Sequence, residues 1–89
     1  MSKNLKESVY YAARLVAAEW IESVGAIDAL TMVELTREAI TEGGFLPEPA
    51  QLAEDSLYIY MTEKEVEKYF PIMLDFIEQQ IKLYINNNQ

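Results

Sequence analysis

From position 66 to 85 the chain returns an apolar side chain at every third or fourth residue: Val66, Phe70, Met73, Ile77, Ile81 and Ile85. A 3.6-residue turn brings such positions onto one face of an α-helix, whereas a strand needs a period of two. The stripe opens with Thr62-Glu63-Lys64-Glu65. This is a capping box, in which Thr and Glu each satisfy a backbone N–H that the first turn leaves open. Glu63 and Glu65 also place negative charge at the positive end of the helix dipole. Pro71 lies inside the stripe. It has no N–H for the carbonyl of Glu67 and its ring crowds that turn, which predicts a kink. Asn86-Asn87-Asn88-Gln89 reads as a frayed polar tail over 86–89.

Three more helices precede this one. Residues 4–24 start at Asn4 with Glu7 three positions on, then run Leu5, Val9, Ala12, Val16, Trp20, Val24, widened by Ala13, Leu15, Ala17 and Ile21. Gly25 stands where a left-handed C-cap is expected. A second helix begins near Asp28 or at Thr31, since Thr31 and Glu34 form another capping-box spacing. Gly43-Gly44 ends it. Pro47 and Pro49 make the next segment irregular, and Phe45 and Leu46 are expected to tuck beneath it. Residues 50–61 carry two signals. Leu52, Ala53, Leu57 and Tyr60 suit a short helix behind Pro49, while Leu57, Ile59 and Met61 alternate with Tyr58 and Tyr60 as a strand would. Helix is favoured, because no second strand is available to pair.

The expected fold is all-α: a compact bundle of about four helices, the third short and the last kinked at Pro71, packing across the hairpin of the first two. Residues 1–89 form one domain. Hydrophobic residues make up 51% of the chain, enough for a core without disulfides or metal and with apolar surface to spare.

The chemistry available is narrow. The chain has no Cys, which removes thiol nucleophiles, disulfides and thiolate metal sites, and no His, which removes the commonest general base and transition-metal ligand. No Gly-rich phosphate loop occurs. Glu19 with Glu22, and Glu34 with Glu38, share helix faces and are the only hint of an all-oxygen cation site. The dense acids of 63–67 are explained by a helix N-terminus without invoking catalysis. The expectation is a non-enzyme without cofactor or metal. The longest uncharged runs are seven residues, such as 56–62, against the roughly 20 that span a bilayer. Lys3 and Lys6 ahead of an apolar stretch faintly suggest a signal peptide, but Arg14 and Glu19 interrupt it and no cleavage-like site follows. A cytoplasmic protein without a membrane partner is expected.

Charge is uneven. The formal net charge is −8, and residues 19–63 hold ten acids against Arg37 alone. Such a balance repels nucleic acid. A helix–turn–helix reading of 28–61 fails because its recognition segment, 50–61, has no Lys or Arg to read bases. Six tyrosines are many for this length, and Tyr10-Tyr11 and the Tyr58/Tyr60 pair cannot all face one core. Tyr10, Tyr11, Arg14, Tyr58 and Tyr60 are therefore the candidate interface residues, since stiff aromatic area anchors protein contacts. Tyr10 and Arg14, four apart, are expected to share a patch.

The preferred function is a regulatory or adaptor module acting by protein–protein contact, with a homodimer as the simplest case. Its first alternative is an acidic decoy that mimics DNA charge and inhibits a nucleic-acid-handling protein, of the kind phages and mobile elements encode. Glu34, Glu38, Glu42, Glu54 and Asp55 would form its face. The second is a carboxylate-based metal-dependent enzyme.

Overall fold

The computed structural model describes residues 4–88 and holds four helices: α1 (Leu5–Val24), α2 (Ala26–Glu42), α3 (Glu48–Leu57) and α4 (Glu63–Asn87). No strand occurs among the described residues. α4 lies mainly along α1 and then against α2, and the short α3 touches all three. Lys3 and Gln89 lie outside the described residues.

The start of α1 follows its sequence signal. The Asn4 side-chain oxygen accepts from the Glu7 N–H at 3.1 Å, and Asn4 Nδ2 donates to the Glu7 carboxylate at 3.0 Å. Val9, Ala13, Ala17 and Trp20 are buried. Leu15, expected to widen that stripe, is exposed instead. Position 15 falls about 200° round the helix from the centre of the buried face.

The α1–α2 junction is tighter than expected. Gly25 has φ 87° and ψ 159°, a positive φ with extended ψ rather than the left-handed cap. Its N–H donates to the Ile21 carbonyl and its own carbonyl accepts from Ala29, both at 2.9 Å. One glycine thus ends one helix and begins the next, so α2 starts at Ala26 instead of Asp28 or Thr31. The Thr31 hydroxyl is inside the helix and donates to the Ile27 carbonyl at 3.3 Å.

Gly43 takes the left-handed conformation at φ 76°, and the Gly44 N–H reaches back to the Ala39 carbonyl at 2.9 Å. In the following loop Leu46 packs on the core, but Phe45 stands fully in water, contrary to expectation. Leu46 and Pro47 are the partly buried positions of this loop, and Phe45 is on its outer side.

The ambiguous segment 50–61 is helix as far as Leu57 and turn beyond it. Its N–H groups close locally: Tyr60 and Met61 both donate to the Leu57 carbonyl, at 3.2 and 2.9 Å. Tyr60 therefore belongs to the turn and not to α3.

α4 opens on the expected reciprocal cap. Glu65 N–H donates to the Thr62 hydroxyl at 3.3 Å, and Thr62 N–H to the Glu65 carboxylate at 2.9 Å. The helix runs unbroken through Pro71, whose ring is exposed. It also runs through Asn86 and Asn87, so the expected frayed tail is helical there. The Asn88 side chain caps it by donating to the Tyr84 carbonyl at 2.8 Å.

Val66, Phe70, Met73, Ile77 and Ile81 of α4 share one buried cluster with Trp20, Val33, Ala50 and Leu57, which draws on all four helices. Thr36 is the buried polar residue, and its hydroxyl donates to the Met32 carbonyl at 2.7 Å. No described helix is long and apolar enough to cross a membrane.

Candidate functional site

The turn between α3 and α4 presses against the first turns of α1 and builds an aromatic end to the bundle. Leu57 and Met61 point inward and are buried; Tyr60 is half-buried between them and the surface. Tyr58 and Ile59 point outward, and Ile59 is 84% exposed. On α1, Tyr11 lies on the side away from the core and is 65% exposed. Two shallow clefts meet here. One is lined by Asn4, Glu7, Ser8, Tyr11 and Tyr60, the other by Leu5, Tyr58, Ile59, Tyr60 and Glu65, with Tyr60 as a common wall.

This end is electrostatically acidic. The Tyr58 hydroxyl is held above its ordinary pKa, first by desolvation and then by the carboxylates of Glu54, Glu63, Glu67 and Asp55. Each of these makes a phenolate costlier. Burial pushes Tyr60 up as well. Glu54 is also raised, by its own burial on α3 and by adjacent Asp55.

The five interface candidates divide between two places. Tyr11, Tyr58 and Tyr60 meet at the aromatic end. Tyr10 turns toward α4, where its ring meets Phe76 edge-on at 5.2 Å and its hydroxyl accepts from Gln80 Nε2 at 3.5 Å. It is held by α4 rather than by Arg14. Arg14 is exposed on the same side of the molecule as Tyr10, in a shallow groove with Ile21, Tyr84 and the same Gln80.

The acidic candidates also divide. Glu34, Glu38 and Glu42 are exposed on successive turns of α2, on the face opposite buried Ala29, Val33 and Thr36. Glu54, half-buried, and Asp55, exposed, belong to α3 and the neighbourhood of Tyr58. Arg37 leans to the α4 side of α2, where it bonds Asp75 at 2.6 Å and Glu78 at 2.5 Å; Glu78 also holds Lys82 at 2.7 Å. Hydrogen bonds from Lys82 and Arg37 keep the Glu78 carboxyl below its ordinary range. Partial burial would lower Arg37, but Glu78 and Asp75 more than offset it and raise the guanidinium. The charged groups left on the outer face of α2 are acids, beside exposed Ile27 and Leu35. Glu19 with Glu22, and Glu34 with Glu38, gain no further ligands: among the described residues no group of three or more Asp or Glu is placed to hold a metal ion.

Ile59 and Phe45 were not among the sequence candidates. Ile59 carried a signal, sitting between two tyrosines and two residues from both Leu57 and Met61. Phe45 carried none, since a Phe beside Leu46 in a loop reads equally well as buried. The chain matches no protein-family model, and comparison with curated proteins and with solved structures found no match.

Proposed function

We propose that this protein is a non-enzymatic module that works by contact with another protein, through the end formed by Tyr11, Tyr58, Ile59 and Tyr60. The observation that carries the reading is contiguity. Exposed apolar residues scattered singly are ordinary, whereas adjoining ones mark contact surfaces. Here three tyrosines and an 84%-exposed isoleucine adjoin on two elements distant in sequence. Tyrosine offers large contact area at small entropic cost, which favours it in such surfaces. A second copy of the chain is the partner simplest to test. Sedimentation across a rising concentration series, with Tyr11→Ala and Ile59→Ser beside the native chain, is the experiment. Association that both substitutions weaken supports a homodimer. A strict monomer directs the search to a foreign partner, and a partner whose affinity ignores both substitutions would remove this surface from the reading.

A second reading is favoured by the outer face of α2. Three exposed glutamates there, with Arg37 drawn off to α4, favour an acidic decoy for a nucleic-acid-handling protein, a reading that needs one continuous acidic band and has Glu54 and Asp55 apart on α3. That reading predicts binding lost on reversing Glu34, Glu38 and Glu42, with a steep fall in affinity as salt rises. The aromatic contact predicts weak dependence on those three residues.

A further inference from the structure

We infer that the occupant of the aromatic end is a basic, apolar segment of another protein, its Lys or Arg side chains meeting the carboxylates around Tyr58 and an apolar anchor meeting Tyr11 and Ile59. The inference rests on the contact reading above and adds the chemistry of the partner. Residues 48–63, which supply α3 and the turn, contain Glu48, Glu54, Asp55 and Glu63 and no Lys or Arg. Glu54 and Asp55 stand one helical turn before Tyr58, the C-cap of α3, and Glu65 lines the cleft that Tyr58 shares with Ile59 and Tyr60; the carboxylates of Glu54, Glu63, Glu67 and Asp55 accordingly disfavour a Tyr58 phenolate. The cations of α4 nearest in sequence do not answer them. Lys64 and Lys68 each follow an acid of that set by one residue, which turns them about 100° further round the helix. Lys68 lies instead over the ring of Tyr69, 5.3 Å from its centroid. Lys6 is exposed on the first turn of α1, and no ion pair among the described residues joins it to the carboxylates of this end. Among the described residues the patch is thus an apolar centre with a negative margin that no ion pair balances.

Charge complementarity chooses among the occupants. A second copy would set the same carboxylates against each other, and like charges across a contact disfavour it. A neutral apolar segment would use the centre and leave the margin unmatched. A segment with both cations and an apolar face uses both.

The test is fluorescence anisotropy with a labelled helical peptide of Leu and Lys, about five turns long with Leu at steps of three and four, and a matched peptide with Glu in place of Lys. Two variants remove three exposed charges each: Asp55→Asn with Glu63→Gln and Glu67→Gln at the margin, and Glu34→Gln with Glu38→Gln and Glu42→Gln on α2. A third variant, Tyr11→Ser with Ile59→Ser, removes the apolar centre. Helical content and melting temperature of each are checked first. The Leu/Lys peptide is expected to bind, with Kd raised about tenfold or more by the margin variant and by the centre variant, and about twofold or less by the α2 variant. The Leu/Glu peptide is expected not to bind. Equal weakening by the two charge variants would overturn the inference, because attraction would then follow net charge alone. Equal binding of both peptides, lost in the centre variant, would also overturn it while leaving the contact surface standing. Binding of neither peptide overturns the choice of a basic partner, and indifference to the centre variant removes the contact surface itself.

Discussion

The seam between α4 and α1 and the end formed by the α3–α4 turn use similar side chains for opposite purposes. In the seam, Met73, Ile77 and Ile81 belong to one buried cluster with Ala13 and Ala17, and all are at most 1% exposed. At the end, Tyr58, Ile59 and Tyr11 remain in water. Regular helix makes the difference. Along a helix, spacing assigns every residue to a face, so apolar residues in register are buried together. A turn has no such period, and successive side chains diverge: Leu57 and Met61 enter the core while the two residues after Leu57 cannot follow. Stability is therefore concentrated in the seam, and apolar surface is left over at the end. The 43–47 loop shows the same splitting in Phe45 and Leu46, but there the exposed residue is alone.

That contrast can be broken by substitution. Ile77 is fully buried. Ile77→Ala is expected to cost about 2–5 kcal/mol, as lost transfer energy plus a cavity, and to leave contacts at the aromatic end unchanged in whatever fraction stays folded. Chemical denaturation measures it; a loss under about 1 kcal/mol would mean that the seam is loosely packed. The next effect is at Pro71, whose exposed ring makes no demand on the core. Pro71→Ala restores a donor to the Glu67 carbonyl. An interior Pro costs about 3 kcal/mol and the freer unfolded chain takes back up to about 1 kcal/mol, so a net gain of about 2–3 kcal/mol is expected. A lower melting temperature would show that a bend at Pro71 is part of how α4 fits α1 and α2.

Thr62→Ala tests the border between the two regions, since the cap starts α4 where the turn ends. It should cost about 1 kcal/mol. If it also abolishes a contact at the aromatic end, the turn depends on the cap for its shape. The ion pairs on the α2–α4 side come lower, below about 1 kcal/mol, because they are partly solvated. Their signature is pH. The Glu78 carboxyl is lowered from an ordinary 4.5. Its contribution is thus complete above that value and is lost as pH falls through the lower folded value. The difference in melting temperature between the native chain and Glu78→Gln should be present at neutral pH and shrink as pH falls below 4.5. Glu54, raised by burial, works the other way: its ionised form is disfavoured in the fold, and that cost lifts as pH falls through its raised value. The smallest change is expected at Ile59→Ser, within about 0.5 kcal/mol, since an exposed side chain gives up little on replacement. A larger loss would place Ile59 in the core's service and end the contrast.

Much of the helical framework was readable from local chemistry. Asn4 and Thr62 start helices where they stand because a cap needs only its own side chain and the next three residues. Gly43 ends α2 for the same reason. The α2 start was misplaced because Thr31-x-x-Glu34 has the spacing of a cap in the interior of a helix too, and only the Gly25 junction tells the two apart. The candidate site was half legible. The tyrosine pairs announced that some aromatic rings must be exposed, but which ring leaves the core depends on the neighbouring helix. Tyr10 found Phe76 and Gln80, 66 and 70 residues away, and so left the group to which Tyr11 belongs.

What the sequence determined alone is the part of this protein governed by short-range rules: the all-α class, the caps, the face of α4 that is apolar, and the strong excess of acid between residues 19 and 63. What the tertiary structure decided is every property that needs two distant segments. It drew Arg37 to Asp75 and Glu78, left Glu34, Glu38 and Glu42 as a bare acidic face, and set Tyr58 among carboxylates from both α3 and α4. It also brought Tyr11 beside a turn that begins 47 residues later. Periodicity and capping act within a few residues, and so they are written locally. Which surfaces meet is settled by the packing of whole helices, where each apolar face can be covered in more than one way and the core selects one.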